Sequence, residues 1–224
     1  MKSNLRILTV AILMFTTSMI HAQYKESEWE ERDSWMSVPE IFKLAGINAG
    51  NAVADVGCHE GYLTVHMAKK VGPEGKVYAV DIKKSRLDAL DEHLKDRNLN
   101  NVETILGDYD DPKLPEATLD VVVVMDTYHE IRDYMLVLKH IKKSLKPNGR
   151  IVLIEKLRSH MRNKTREQQA DGHTLAMKYV KKELQEAGFS ISKKVENFGK
   201  WENDSKKQIW VLVGEQKENN KQSQ

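Results

Sequence analysis

Residues 53–64 read Val53-Ala54-Asp55-Val56-Gly57-Cys58-His59-Glu60-Gly61-Tyr62-Leu63-Thr64, a short apolar run that passes directly into a glycine-bearing turn and then an amphipathic segment. Small and β-branched residues ending in such a turn suit a buried strand that hands over to a helix. Glycine lets the backbone approach a ligand closely, and the first N–H groups of the helix have no partner inside it, so this corner can hold a nucleotide-like group. The surroundings extend the pattern. Ala52 to Val56 reads as strand, Glu60 to Lys70 as helix, Lys76 to Asp81 as strand, and Ser85 to Arg97 as helix with Leu87, Leu90 and Leu94 on one face. That is a βαβ series.

Strand patterns follow at Val102 to Leu106 and at Leu119 to Met125, whose run Val121 to Val124 suits a central parallel strand buried on both faces. A helix is expected from Tyr134 to Leu145, stopped by Pro147-Asn148-Gly149 before a strand from Arg150 to Glu155. A polar connection leads to a helix near Leu175 to Ala187 closed by Gly188, then to strands near Phe189 to Val195 and Gln208 to Val213 with no helix between them. Upstream, Ser37-Val38-Pro39-Glu40 reads as a capping box with proline in the first turn, opening a short helix that Gly46 ends and that would cover the first edge of the sheet. The fold class is α/β, with no internal repeat and no second domain.

In an open parallel sheet, ligands sit at the carboxyl ends of the strands where the strand order reverses, so the residues just after each strand carry the function. Asp81 closes the second strand, where a carboxylate can accept hydrogen bonds from both ribose hydroxyls. Gly107-Asp108-Tyr109 follows the third strand and Asp126-Thr127-Tyr128-His129-Glu130 the fourth. His129 is either a general base or a solvated, helix-capping histidine. A dinucleotide fingerprint would need glycines at 59 and 62, which hold His59 and Tyr62, so nicotinamide binding is disfavoured.

Asp55, Gly57 and Gly61 match the first motif of the class I S-adenosylmethionine-dependent methyltransferases, Asp-x-Gly-x-Gly-x-Gly, and residues 48–214 resemble that family. The departure is His59 at the central glycine. The resemblance implies a seven-stranded, mostly parallel Rossmann-like sheet with helices on both faces and the last strand antiparallel, and S-adenosylmethionine as cofactor. It places Asp55, Gly57, Cys58, His59 and Gly61 at the methionine end, Asp81 and Ile82 at the ribose, Asp108 and Tyr109 at the adenine. Asp126, with Tyr128 and His129 as the catalytic candidates, would lie beside the methyl group and a small-molecule acceptor with an oxygen or nitrogen nucleophile. A binding protein that kept the fold and lost turnover is the second reading, and His59 is its sign. His59 would crowd the cofactor, donate to the methionine carboxylate or point to solvent.

No metal is expected: Asp126 and Glu155 lack a third ligand, and His160 and His173 lack ligand spacing. The cations of Lys156 to Gly172 mark a candidate substrate lid for a negatively charged molecule. Lys2 and Arg6 precede an uncharged stretch, Ile7 to Ile20, that ends near Ala22, which is the layout of a cleavable signal peptide over residues 1–22 and implies an exported domain. A signal-anchored form is the alternative; once the signal is cleaved, no membrane insertion is expected. Beyond Lys2 and Arg6 the chain carries 33 basic and 33 acidic residues, which argues against a broad nucleic-acid surface. Cys58 is the single cysteine, so no intrachain disulfide forms, and it serves as a small residue of the turn. Residues 23–47 form a leader and helix, and 215–224 a disordered tail; the sequence leaves the oligomeric state open.

Overall fold

The computed structural model describes residues 25–216. The expected signal peptide, residues 1–22, lies outside them. Seven strands form one sheet: β1 (Ala52–Val56), β2 (Lys76–Asp81), β3 (Val102–Leu106), β4 (Leu119–Met125), β5 (Leu145–Arg158), β6 (Phe189–Lys200) and β7 (Lys207–Gln216). Their order is β3-β2-β1-β4-β5-β7-β6. The pairs from β3 to β5 are parallel, and β7 runs antiparallel to both β5 and β6. This is the expected architecture. Strand β7 reaches Gln216, so Glu215 and Gln216 belong to the sheet and not to a tail.

Alternation along the central strands supplies two cores. Val121 and Val123 face one layer, containing α1 (Trp29–Asp33), α2 (Val38–Ala45), α3 (Tyr62–Val71) and α4 (Lys84–Asp96). Val122 and Val124 face the other, containing α5 (Tyr134–Ser144) and α7 (Met177–Glu186). A strand lined with valine on both faces is thereby buried on both, as a central parallel strand must be.

Three local expectations change. The Ser37 side chain makes no capping bond, so no capping box forms there, and α2 packs on β5 and β7 in place of the first sheet edge. The capping box lies at Thr165, which accepts from the Gln168 N–H while Gln168 accepts from the Thr165 N–H; it opens α6 (Arg166–Asp171) inside the expected irregular connection. Pro147-Asn148-Gly149 does end α5, but as an irregularity within β5, where the pairing with β4 shifts between Leu119 and Val121.

Candidate active site

Strands β1 and β4 are neighbours whose flanking strands, β2 and β5, lie on opposite sides, so the chain diverges from the β1/β4 boundary and leaves a crevice beyond their carboxyl ends. A cavity of about 720 Å³ opens there, lined by Gly57 and His59 after β1, Asp81 and Ile82 after β2, Asp108 and Tyr109 after β3, and Asp126 after β4. Its volume falls within the range of small-molecule sites, ~300–1,000 Å³.

Gly57 adopts φ 80°, and a Cβ there would meet Thr127 Cγ2 at 2.3 Å, so only glycine lets the β1 turn press against the β4 turn. His59 also has positive φ, 53°, the left-handed conformation that the family's glycine would adopt at no steric cost. Its backbone N–H donates to Asp81 Oδ2 at 3.1 Å. Burial, reinforced by the charge of Arg86, pushes the imidazole down to about 4, so the ring is neutral near pH 7. Gly61 serves packing and not the cavity wall: a Cβ at its φ of 97° would strike Leu90 of α4 at 2.2 Å.

Asp55 and Cys58 lie beneath the turn and do not reach the main cavity. Asp55 accepts a 2.7 Å bond from Thr64 Oγ1, and burial pushes its carboxyl up to about 6 against that bond and the charge of Arg32. Burial also pushes the Cys58 thiol well up, which leaves it an inert packing group. Arg32, on the leader, stacks over the Tyr62 ring at 4.3 Å and lies 3.7 Å from Met125 Sδ. The leader thus packs beneath the β1 turn, a role its charge-rich sequence did not disclose.

Asp81 is buried and held by the Lys83 N–H at 2.9 Å and by Arg86 at 3.2 Å. Asp108 is exposed and pairs with Lys113 at 2.9 Å. Asp126, with φ 52°, forms a buried ion pair with Lys156, whose ammonium also sits 4.5 Å from the centre of the Trp201 ring.

The two catalytic candidates part company. Tyr128 is fully buried in the second core and donates its hydroxyl to Glu183 Oε2 at 3.0 Å, so it does not reach the cavity. His129 is buried beside Glu155, which accepts its backbone N–H at 3.1 Å and faces Nδ1 with both carboxylate oxygens, at 3.0 and 2.9 Å. Burial disfavours the imidazolium, but the charge and hydrogen bond of Glu155, with Asp126 adding, outweigh it and raise the His129 pKa. His129 is not part of the cavity wall; its neighbour Glu130 is.

Two cations of the expected lid are tied down. Lys156 is committed to Asp126, and Arg166 pairs with Glu183 at 2.6 Å and stacks over Tyr134 at 3.8 Å. The cations on the cavity are Lys83, Arg86 and Arg132. Sequence reasoning passed over them although each lies within a few residues of Asp81 or Asp126, at the same strand ends.

A family model described as "Methyltransferase domain" matches residues 47–210. The chain belongs to this family. Its relatives and several structural neighbours carry the name methyltransferase, and the cofactor of this family is S-adenosylmethionine. Among relatives of this methyltransferase, the demethylmenaquinone methyltransferase of Geobacillus sp. (strain WCH70) is 33% identical over 116 residues, 52% of this chain and 50% of its own. That of Geobacillus stearothermophilus is 32% identical over the same length. The chain spans about half the length of the curated relatives it matches. An S-adenosylmethionine-dependent methyltransferase from Aquifex aeolicus shares the fold with a TM-score of 0.69 and 23% identity, over 84% of this chain and 97% of its own.

Proposed function

We propose that this methyltransferase moves a methyl group from S-adenosylmethionine to an oxygen or nitrogen nucleophile of a small molecule. The observation that carries the proposal is the single cavity wall assembled from Gly57, Asp81, Asp108 and Asp126, one residue from the carboxyl end of each of four adjacent strands. The demethylmenaquinone methyltransferases among the relatives favour a small-molecule acceptor over a macromolecule.

The residues fit the cofactor. Gly57 lines the cavity where its turn presses against Thr127, and the cavity volume suits a ligand of nucleoside size. Asp81 would hold the ribose hydroxyls: its carboxylate is pinned by the His59 and Lys83 N–H groups, and Arg86 is the side-chain partner that hydroxyls can replace. Ile82, 40% exposed, offers an apolar wall beside it, and Asp108 offers an acceptor for an amino group. Bound there, S-adenosylmethionine supplies a methyl group already activated by its sulfonium. The chain's part is alignment, which lowers barriers by ~7–11 kcal/mol without a dedicated catalytic side chain. That accords with a site whose expected Tyr128 faces the core.

Calorimetry on the full chain with S-adenosylmethionine and S-adenosylhomocysteine tests the reading. Binding is expected, and Asp81→Ala is expected to weaken it more than tenfold, because charge-assisted hydrogen bonds contribute ~1.5–3 kcal/mol. The absence of heat at millimolar ligand would overturn the cofactor site. Unchanged affinity in a folded Asp81→Ala variant would make Asp81 a scaffold residue.

A further inference from the structure

His129, Glu130 and His173 bring one ligand atom each within 4.8 Å of one another, although His173 lies far along the chain. His129 Nε2 is 3.9 Å from Glu130 Oε1, and His173 Nδ1 is 3.7 Å from the same oxygen. A cation bound at ~2.0–2.1 Å by imidazole and carboxylate requires its donors only slightly closer than this, which small side-chain rotations supply. We propose that these three side chains form a site for a divalent transition cation of the zinc type, at the rim of the cavity.

The second observation is Glu155. Its buried carboxylate sits against His129 Nδ1, so that nitrogen carries a proton, and Nε2, which ligates a metal once deprotonated, is the atom turned toward Glu130 and His173. A carboxylate behind a histidine is the usual arrangement around a metal-ligating imidazole, where it fixes the tautomer and the ring plane. The His173 backbone is also fixed. His173 N–H donates to Ala170 O at 2.9 Å, and its buried neighbour Thr174 bonds Lys156 O at 2.7 Å through the hydroxyl. The third ligand that the pair Asp126 and Glu155 lacks in the sequence is His129, which converges with them in the fold. Yet Asp126 is neutralised by Lys156, and Glu155 already accepts two hydrogen bonds from His129. That leaves the outer set.

Two imidazoles and one carboxylate favour Zn²⁺ and its transition-metal neighbours over Mg²⁺ or Ca²⁺, which take oxygen donors. Three protein ligands leave coordination positions open. Because Glu130 also lines the cavity, an anionic oxygen of a bound molecule can complete the set there.

The probe is the metal alone, with the untagged full chain and neither cofactor nor acceptor present, so failure leaves the methyl-transfer reading standing. Zn²⁺ affinity is read by competition with a chromophoric chelator, and Co²⁺ by its visible absorption. One equivalent is expected, with affinity falling more than tenfold in His173→Ala and in Glu130→Gln. Both side chains are more than half exposed, so the fold should survive, as a thermal melt will verify. Failure to bind one equivalent of Zn²⁺, or unchanged affinity in both variants, would overturn the site, the latter by placing the metal on other surface histidines.

Discussion

Asp55 holds an ionisable carboxyl where water does not reach, and the consequence is measurable. Its pKa is pushed from 3.8 to about 6 by burial. A carboxyl whose folded pKa lies above its unfolded one gives the native state a proton-linked advantage below the unfolded pKa, and that advantage is lost as pH rises through the folded pKa. Between about pH 4 and pH 6 the wild-type protein should therefore lose stability relative to an Asp55→Asn variant, which cannot ionise and whose amide oxygen can still accept from Thr64 Oγ1. At 1.36 kcal/mol per unit, the difference between the two should change by about 3 kcal/mol across that window, in favour of the variant at higher pH. Urea unfolding of both proteins at pH 4 and pH 7.5 measures it. A gap that stays constant would mean that Asp55 is not the titrating group. His59 shows a different kind of residue-scale cost. A non-glycine side chain at φ 53° is strained, and its tolerance here follows from the bond of its N–H to Asp81, which holds the turn whichever residue occupies it.

At the scale of elements, the carboxyl end of β5 organises the site. Glu155 and Lys156 are successive residues and so project to opposite faces: Glu155 orients His129, and Lys156 neutralises Asp126 at the end of β4. Removing one member of a buried pair strands the other. Lys156→Met should cost about 3–5 kcal/mol, whereas Lys156→Met with Asp126→Asn should recover most of it. A double-mutant cycle by denaturant unfolding decides this, and simple additivity would show that the pair is not coupled. The strands themselves were readable because burial is written into composition: a run such as Val121 to Val124 has few alternatives to a central strand. The β5 pairings were not readable, because Lys156 meets Asp126 and Glu155 meets His129 only after the helices of one layer have returned the chain to the sheet. His173 was set aside as a ligand for the same reason, since ligand spacing in a sequence reports local geometry and this group joins residues following β4 to one following α6. The capping box was a different failure. Thr165 and Gln168 carried the signature openly, but the surrounding cations drew the reading toward a solvated loop.

For the whole molecule, the sheet and the cavity are assembled from described residues. Among the described residues the core begins at Trp29, Arg32 packs beneath the β1 turn, and no helix is long and apolar enough to cross a membrane. Removal of residues 1–22 would leave no charge imbalance, because the loss of Lys2 and Arg6 brings the chain to 33 basic against 33 acidic residues. Cys58, the lone cysteine, is buried and so neither needs nor risks disulfide chemistry in an oxidising compartment. On these grounds we propose that Lys2, Arg6 and the uncharged stretch Ile7 to Ile20 direct export, with cleavage after Ala22. Fractionation followed by mass spectrometry of the intact protein should find a chain starting at Gln23 outside the cytoplasm. Recovery of a chain starting at Met1 from the soluble cytoplasm would reject export, and recovery of the same chain from the membrane would show that the apolar stretch stays as an anchor. The thermal stability of the two forms gives an independent check: if the fold owes nothing to the first 22 residues, the mature chain and the uncleaved chain should melt together.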